Sequence, residues 1–149
     1  MKLTAFNEQV YLDQLVGPVI GATGTVPASY VDAGLYERFV ILIGAGDMGT
    51  SGTIDAQVVQ ATAAAGTGSK NITGAAITQL VTATDDDSFV TIEVQSDQLD
   101  LANGFNHVSV TITIGGAACN VVAYFLGLNP RSVPVTQPAT YLEAVQVAG

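Results

Sequence analysis

His107 and Cys119 are the only histidine and the only cysteine in the chain, and together they could in principle form a base and a nucleophile. A thiol–imidazole dyad requires the two groups within hydrogen-bond reach. Their spacing instead suits two successive strands, with His107 capping the first and Cys119 opening the second. The expected reading is therefore a strand-edge imidazole and a small buried thiol. One histidine cannot build a two-histidine metal site, and a lone thiol has no cysteine partner for zinc or for an internal disulfide. Asp85-Asp86-Asp87 could chelate a hard cation such as calcium. It lacks the alternating ligands, central glycine and closing glutamate of an EF-hand loop, so a solvated turn between strands is expected.

Gly44-Ala45-Gly46-Asp47-Met48-Gly49 matches the spacing GxGxxG. A dinucleotide site also needs a helix opening at the third glycine, whose N-terminal N–H groups hold the pyrophosphate. Thr50-Ser51-Gly52-Thr53 follows here and leads into a strand pattern, so a flexible hairpin loop is expected and no cofactor is assigned. The chain has neither a Gly-x-Ser-x-Gly elbow nor an HExxH pair. Paired carboxylates for glycoside hydrolysis are a matter of spatial pairing, and the lack of tryptophan removes the usual sugar platform. No catalytic, cofactor-binding or metal-binding residue is assigned, and the chain reads as a non-enzyme.

The elements that would position these residues are strands. Phe39, Val40, Ile41, Leu42 and Ile43 form a continuous apolar run ending in glycines, the pattern of a strand buried on both faces. In 53–62, Ile54, Ala56 and Val58 alternate with Asp55, Gln57 and Val59. In 89–95, Val90, Ile92 and Val94 share one face. In 107–114, Val108, Val110, Ile112 and Ile114 alternate with Ser109, Thr111 and Thr113. Period two with β-branched residues predicts strands, and a further strand is expected over 120–126 after a hairpin-like Gly115-Gly116 connection. Loops are expected at 44–52, 63–71, 82–88 and 102–106, with one or two helical turns at 74–81 and 98–103. These signals predict an all-β fold, an antiparallel sandwich or barrel, with its core over 36–128. Glycine and proline interrupt 1–35, which reads as an extended N-terminal arm or, alternatively, a first strand of the same domain. Residues 129–149, carrying Pro130, Pro134 and Pro138, read as a C-terminal arm.

Composition narrows the function classes. The 149 residues are 48% hydrophobic and only 11% charged, with thirteen acidic against four basic side chains and a net charge of −9. A typical domain carries roughly 25% charged residues, so contact with other subunits is expected to cover part of the surface. Lys2, Arg38, Lys70 and Arg131 are scattered, which argues against direct nucleic-acid binding. The N-terminal residues are too polar for a secretory segment, and no apolar run is long enough for a helix to span a membrane; neither feature is expected.

Two stretches carry a family resemblance: 36–43 followed by 54–61, and 72–80, which includes Gly74-Ala75-Ala76-Ile77-Thr78-Gln79-Leu80, followed by 90–94. Over 36–134 the chain resembles small β-rich virion structural proteins of tailed bacteriophages. The likeness is one of strands and loops without a site motif, so no functional residue is carried over. It implies a capsid decoration or cement protein on the capsid exterior, made in the host cytoplasm. The implied partners are further copies of itself, such proteins often being trimeric, and the major capsid protein. Contacts would be apolar, with strand addition at exposed sheet edges, and an acidic chain would lie away from packaged DNA. A head–tail connector or tail component of the same virion, or a small β-fold hydrolase, are the alternatives.

Overall fold

A computed structural model describes residues 5–147. After a single helical turn, α1 (Phe6–Gln9), the chain forms β1 (Tyr11–Gly21), β2 (Gly24–Val26), β3 (Val31–Asp32), β4 (Tyr36–Met48), β5 (Thr53–Ala61), β6 (Lys70–Ala76) and β7 (Leu80–Val81). There follow α2 (Thr82–Asp85), β8 (Ser88–Gln95), β9 (His107–Gly115) and β10 (Cys119–Pro130). A four-stranded sheet has the order β1-β10-β4-β8, and a six-stranded sheet has β2-β9-β5-β6, with β3 beside β9 and β7 beside β5. All pairings are antiparallel. No ladder among the described residues joins the two sheets, so the fold is a sandwich and the barrel alternative is excluded.

The core forms where alternating side chains of both sheets meet. Phe39, Ile41 and Ile43 of β4 and Val121, Ala123 and Phe125 of β10 face Ile54, Ala56 and Val58 of β5 and Val108, Val110, Ile112 and Ile114 of β9. The inward faces expected for 89–95 and 107–114 are the observed ones. On the opposite side of β9, buried Ser109 is satisfied by donating its hydroxyl to the Ser29 carbonyl at 2.7 Å.

Several expectations are corrected. Residues 11–21 form an edge strand of the four-stranded sheet, the first-strand alternative rather than an arm, and Leu15, Val16, Val26, Val31 and Ala33 join the core, which thus begins well before residue 36. Gly17-Pro18 does not end the strand, because register shifts on either side of Val16 absorb the break. The expected loop over 44–52 is strand as far as Met48. The turn beyond it carries the chain from one sheet to the other rather than closing a hairpin. Gly115-Gly116 does not close a hairpin either, since β9 and β10 lie in different sheets. Gly116, at φ +73°, packs so closely on the Ser51 backbone that no Cβ would fit. The helical turns expected at 74–81 are absent: 70–76 and 80–81 are strands, with an outward excursion at Gly74 that the Gln57 amide fills by donating to the Val58, Ile72 and Ala75 carbonyls. At 98–103, single 3-10 turns do form, at Ser96–Gln98 and Leu101–Asn103.

The C-terminal arm after β10 has no regular structure through residue 147, and it lies along its own chain. Gln137 accepts from the Leu12 N–H and donates to the Asn7 and Val10 carbonyls. Val135 N–H donates to the Glu8 carbonyl. Residues 1–4 and 148–149 of the two expected arms lie outside the described residues.

Truncating Ile112, fully buried between the sheets, to alanine should cost about 2–5 kcal/mol in a denaturant titration. Thr113→Ala, on the exposed face of the same strand, should stay within about 0.5 kcal/mol.

Candidate functional site

The residues able to do chemistry are held apart. His107 pairs with Ala61 at one end of β5, whereas Gly115 pairs with Thr53 at the other. The Cys119 thiol lies near the Thr53 carbonyl. Eight residues of strand, about 26 Å, therefore separate His107 from the Cys119 end, and a dyad cannot form. Cys119 is fully buried at the corner where the chain crosses between sheets, and desolvation, reinforced by the charges of Asp86 and Asp47, raises its thiol pKa. A buried thiol of this kind is held in the unreactive protonated form. The Nδ1 of His107 sits 2.9 Å from the Asn106 carboxamide oxygen.

The acidic triplet is put to structural use. Asp85 accepts the Val81 N–H and Asp86 accepts the Met48 N–H. Asp87 takes a left-handed backbone conformation at the turn into β8. Among the described residues, no group of three or more His, Cys, Asp or Glu side chains converges in a way that could hold a metal ion. In the GxGxxG segment, Gly44 and Gly46 lie within β4 and face Val122 and Asn120 of β10, with no helix after the third glycine.

An aromatic cluster closes the opposite end of the four-stranded sheet. Phe39 stacks on Phe125 at 5.2 Å, Tyr36 and Tyr11 meet Phe125 edge-on, and the two tyrosine rings stack at 5.5 Å. Burial pushes the Tyr36 phenol up from 10.0 to about 12, with the charges of Asp32 and Asp13 adding to it. Tyr11 rises further, through burial and through the carboxylate of Asp13, to which its hydroxyl donates at 3.1 Å. Both phenols thus stay protonated at neutral pH and do not serve as bases.

The two outer faces of the sandwich differ in kind. The outward positions of β5 and β9 are largely polar: Thr53, Asp55, Gln57, Thr111 and Thr113. Those of β4 and β10 include Val40, Leu42, Val122, Tyr124, Leu126 and Leu128, all half-buried, with Arg38 and Asn120 toward the ends and Thr140 and Tyr141 of the tail beside Tyr124. The expectation that 39–43 is buried on both faces is corrected accordingly: Phe39, Ile41 and Ile43 are fully enclosed, while Val40 and Leu42 look outward. Near one end of this face, Gly44 and Gly46 leave a depression of about 440 Å³, walled by Pro18, Ile20 and Val122. Phe89, paired with Gly44 on the edge strand, and Ile20 are 71% and 73% exposed. Sequence reasoning missed this surface, although its signal was present in the unbroken apolar runs of β4 and β10.

The raised phenol gives a pH signature with a defined sign. Folding favours neutral Tyr36, so its contribution to stability is complete below pH 10.0 and is lost as the pH rises through about 12. The Tyr11 and Tyr36 share of the tyrosinate absorbance should lag behind that of free tyrosine and appear together with loss of far-UV dichroism; its appearance at the ordinary pH in a still-folded chain would contradict the burial. No protein-family model, curated protein or solved structure matches this chain.

Proposed function

We propose that this chain is a structural protein that acts by assembly: a bacteriophage virion component, and within that class a capsid decoration protein on the particle exterior, held by further copies of itself and by the major capsid protein. The observation that carries the assembly reading is the apolar outer face of the four-stranded sheet in a chain of net charge −9. Large continuous apolar surfaces are characteristic of interaction sites. His107 and Cys119 lie at opposite ends of β5, so the base and nucleophile considered from the sequence do not meet. An acidic surface favours a position away from packaged DNA, where like charge would repel it. The assignment to a phage particle rests on the sequence resemblance over 36–134.

The structure changes how an arm could contribute. Residues 11–33 build strands and core, so deletion of the N-terminal segment would damage the sandwich itself. The tail beyond β10 is tied back to Asp13 and Asn7 of its own chain through Thr140 and Gln146, and only its exposed side chains, Leu142, Val145 and Val147, are free to meet a neighbour.

The test is the copy number of the protein in purified virions, read from a gel against the major capsid protein, together with binding to capsids that lack it. A decoration protein should approach a fixed high ratio and bind empty sites with little loss at raised salt, since apolar contacts are not screened as ion pairs are. A few copies per particle would favour the connector or tail alternative. Absence from particles would defeat the virion reading.

A further inference from the structure

We propose that the outer face of the four-stranded sheet is the seat of a second copy of this chain, the two packing face to face about a two-fold axis. This deepens the assembly reading above and rests on it, by naming one partner and one surface.

Charge distribution singles out the face. The outward side chains of β4, β8 and β10 include a single cation and a single carboxylate beyond the exposed strand start at Glu37 and the bulged end at Asp47. That cation and carboxylate, Arg38 and Glu93, lie 3.3 Å apart and cancel. A chain of net charge −9 repels its own copies over most of its surface, and the neutral part of the face over β4, β8 and β10, away from Asp13 of β1, is where two copies can approach. The opposite sheet places Asp55 among polar neighbours and offers no such surface.

Residue pattern agrees with this. Val40, Leu42, Val122, Tyr124, Leu126 and Leu128 form two adjacent apolar rows, so the two central strands read as continuous hydrophobic runs, the pattern of strands covered on both sides. Within one chain the outer side is covered only along β1, where Thr140 and Tyr141 of the tail stand beside Leu12, Gln14 and Tyr124. The three strands β10, β4 and β8, spaced about 4.8 Å apart with about eight residues of about 3.3 Å each, leave an open face of roughly 380 Å². Two such faces bury roughly 760 Å² together, below the roughly 1,200 Å² of a stable complex, so the pairing is weak and concentration-dependent. Sheets stack face to face at about 10 Å with a small rotation set by their twist. The depression over Gly44 and Gly46 then gives a receptacle for a projecting side chain of the other copy, and Ile20 or Phe89, each more than two-thirds exposed, projects from the same face. An isologous contact of this kind closes with two copies.

The experiment is sedimentation velocity and light scattering on the full chain over a range of concentrations. The expected mass is twice 15.2 kDa. Leu42→Glu places an unpaired carboxylate at the centre of the face and should weaken association by at least about 100-fold. Thr113→Glu adds the same charge to the outer face of the other sheet and should leave association unchanged. Phe89→Ser, at an exposed edge position that the fold does not need, should weaken pairing with the far-UV spectrum unchanged, which covers the case in which Leu42→Glu fails to fold. A wild-type mass that stays at 15.2 kDa, a trimer, or equal loss in Leu42→Glu and Thr113→Glu would overturn the proposal. So would association that survives Leu42→Glu but is lost on removing residues 138–149, since the tail would then be the contact. Virion copy number is scored separately. A dimer missing from particles sinks the decoration reading alone, and a monomer abundant on particles sinks the pairing alone.

Discussion

The structure depends on the ladder between β4 and β10. These two strands pair antiparallel from Tyr36 opposite Pro130 to Met48 opposite Cys119, and they form the centre of the four-stranded sheet. Their inward side chains, Phe39, Ile41 and Ile43 with Val121, Ala123 and Phe125, make up that sheet's half of the core. Close approach is built into the ladder. Gly127 lies against the Tyr36 ring so tightly that a Cβ would collide with it, and at the other end Gly44 and Gly46 leave room for Val122 and Asn120. Every other element is referred to this pair: β1 and β8 flank it, and the second sheet is laid over its inner face. The crossings at 49–52 and 116–118 lead from β4 into β5 and from β9 into β10.

Those crossings explain which parts of the fold were legible in the sequence. Strands such as 107–115 and 88–95 announce themselves because period-two alternation is a local property set by one buried face. Sheet membership is not local. Gly115-Gly116 has the composition of a hairpin turn, yet the left-handed Gly116 serves a passage between layers, and only the contact with Ser51 reveals it. The strand over 11–21 was obscured for a different reason: Gly17-Pro18 reads as a break, and the register shifts that accommodate it depend on the partner strand β10. The misread helix at 74–81 contains Ala75, Ala76 and Leu80, good helix formers, but the Gln57 amide and pairing with β5 override that local preference.

For the candidate site the asymmetry runs the other way. The sequence offered reactive residue types, and the three-dimensional arrangement disperses them: His107 and Cys119 to opposite ends of β5, and the aspartates to capping backbone N–H groups. What remained was a pattern of apolar side chains that one chain alone does not use fully. Leu42 and Val122 would be ordinary in a core; their position on an outward face is what gives them meaning. Residue type alone did not carry that information, because inside and outside are defined by which face the second sheet covers.

The terminal segments carry a mechanical consequence. β1 and β10 are antiparallel neighbours, so the start of one lies beside the end of the other, where Gln137 stitches the incoming and outgoing chain together. A load pulling the Asn7 and Gln137 regions apart would act along the interstrand hydrogen bonds, which run perpendicular to the strands. It would open them one after another, as a zipper opens, rather than shearing the whole ladder at once. The molecule would thus yield at lower force from that corner than under a load applied along β1 and β10, so its strength as a building element depends on where it is gripped.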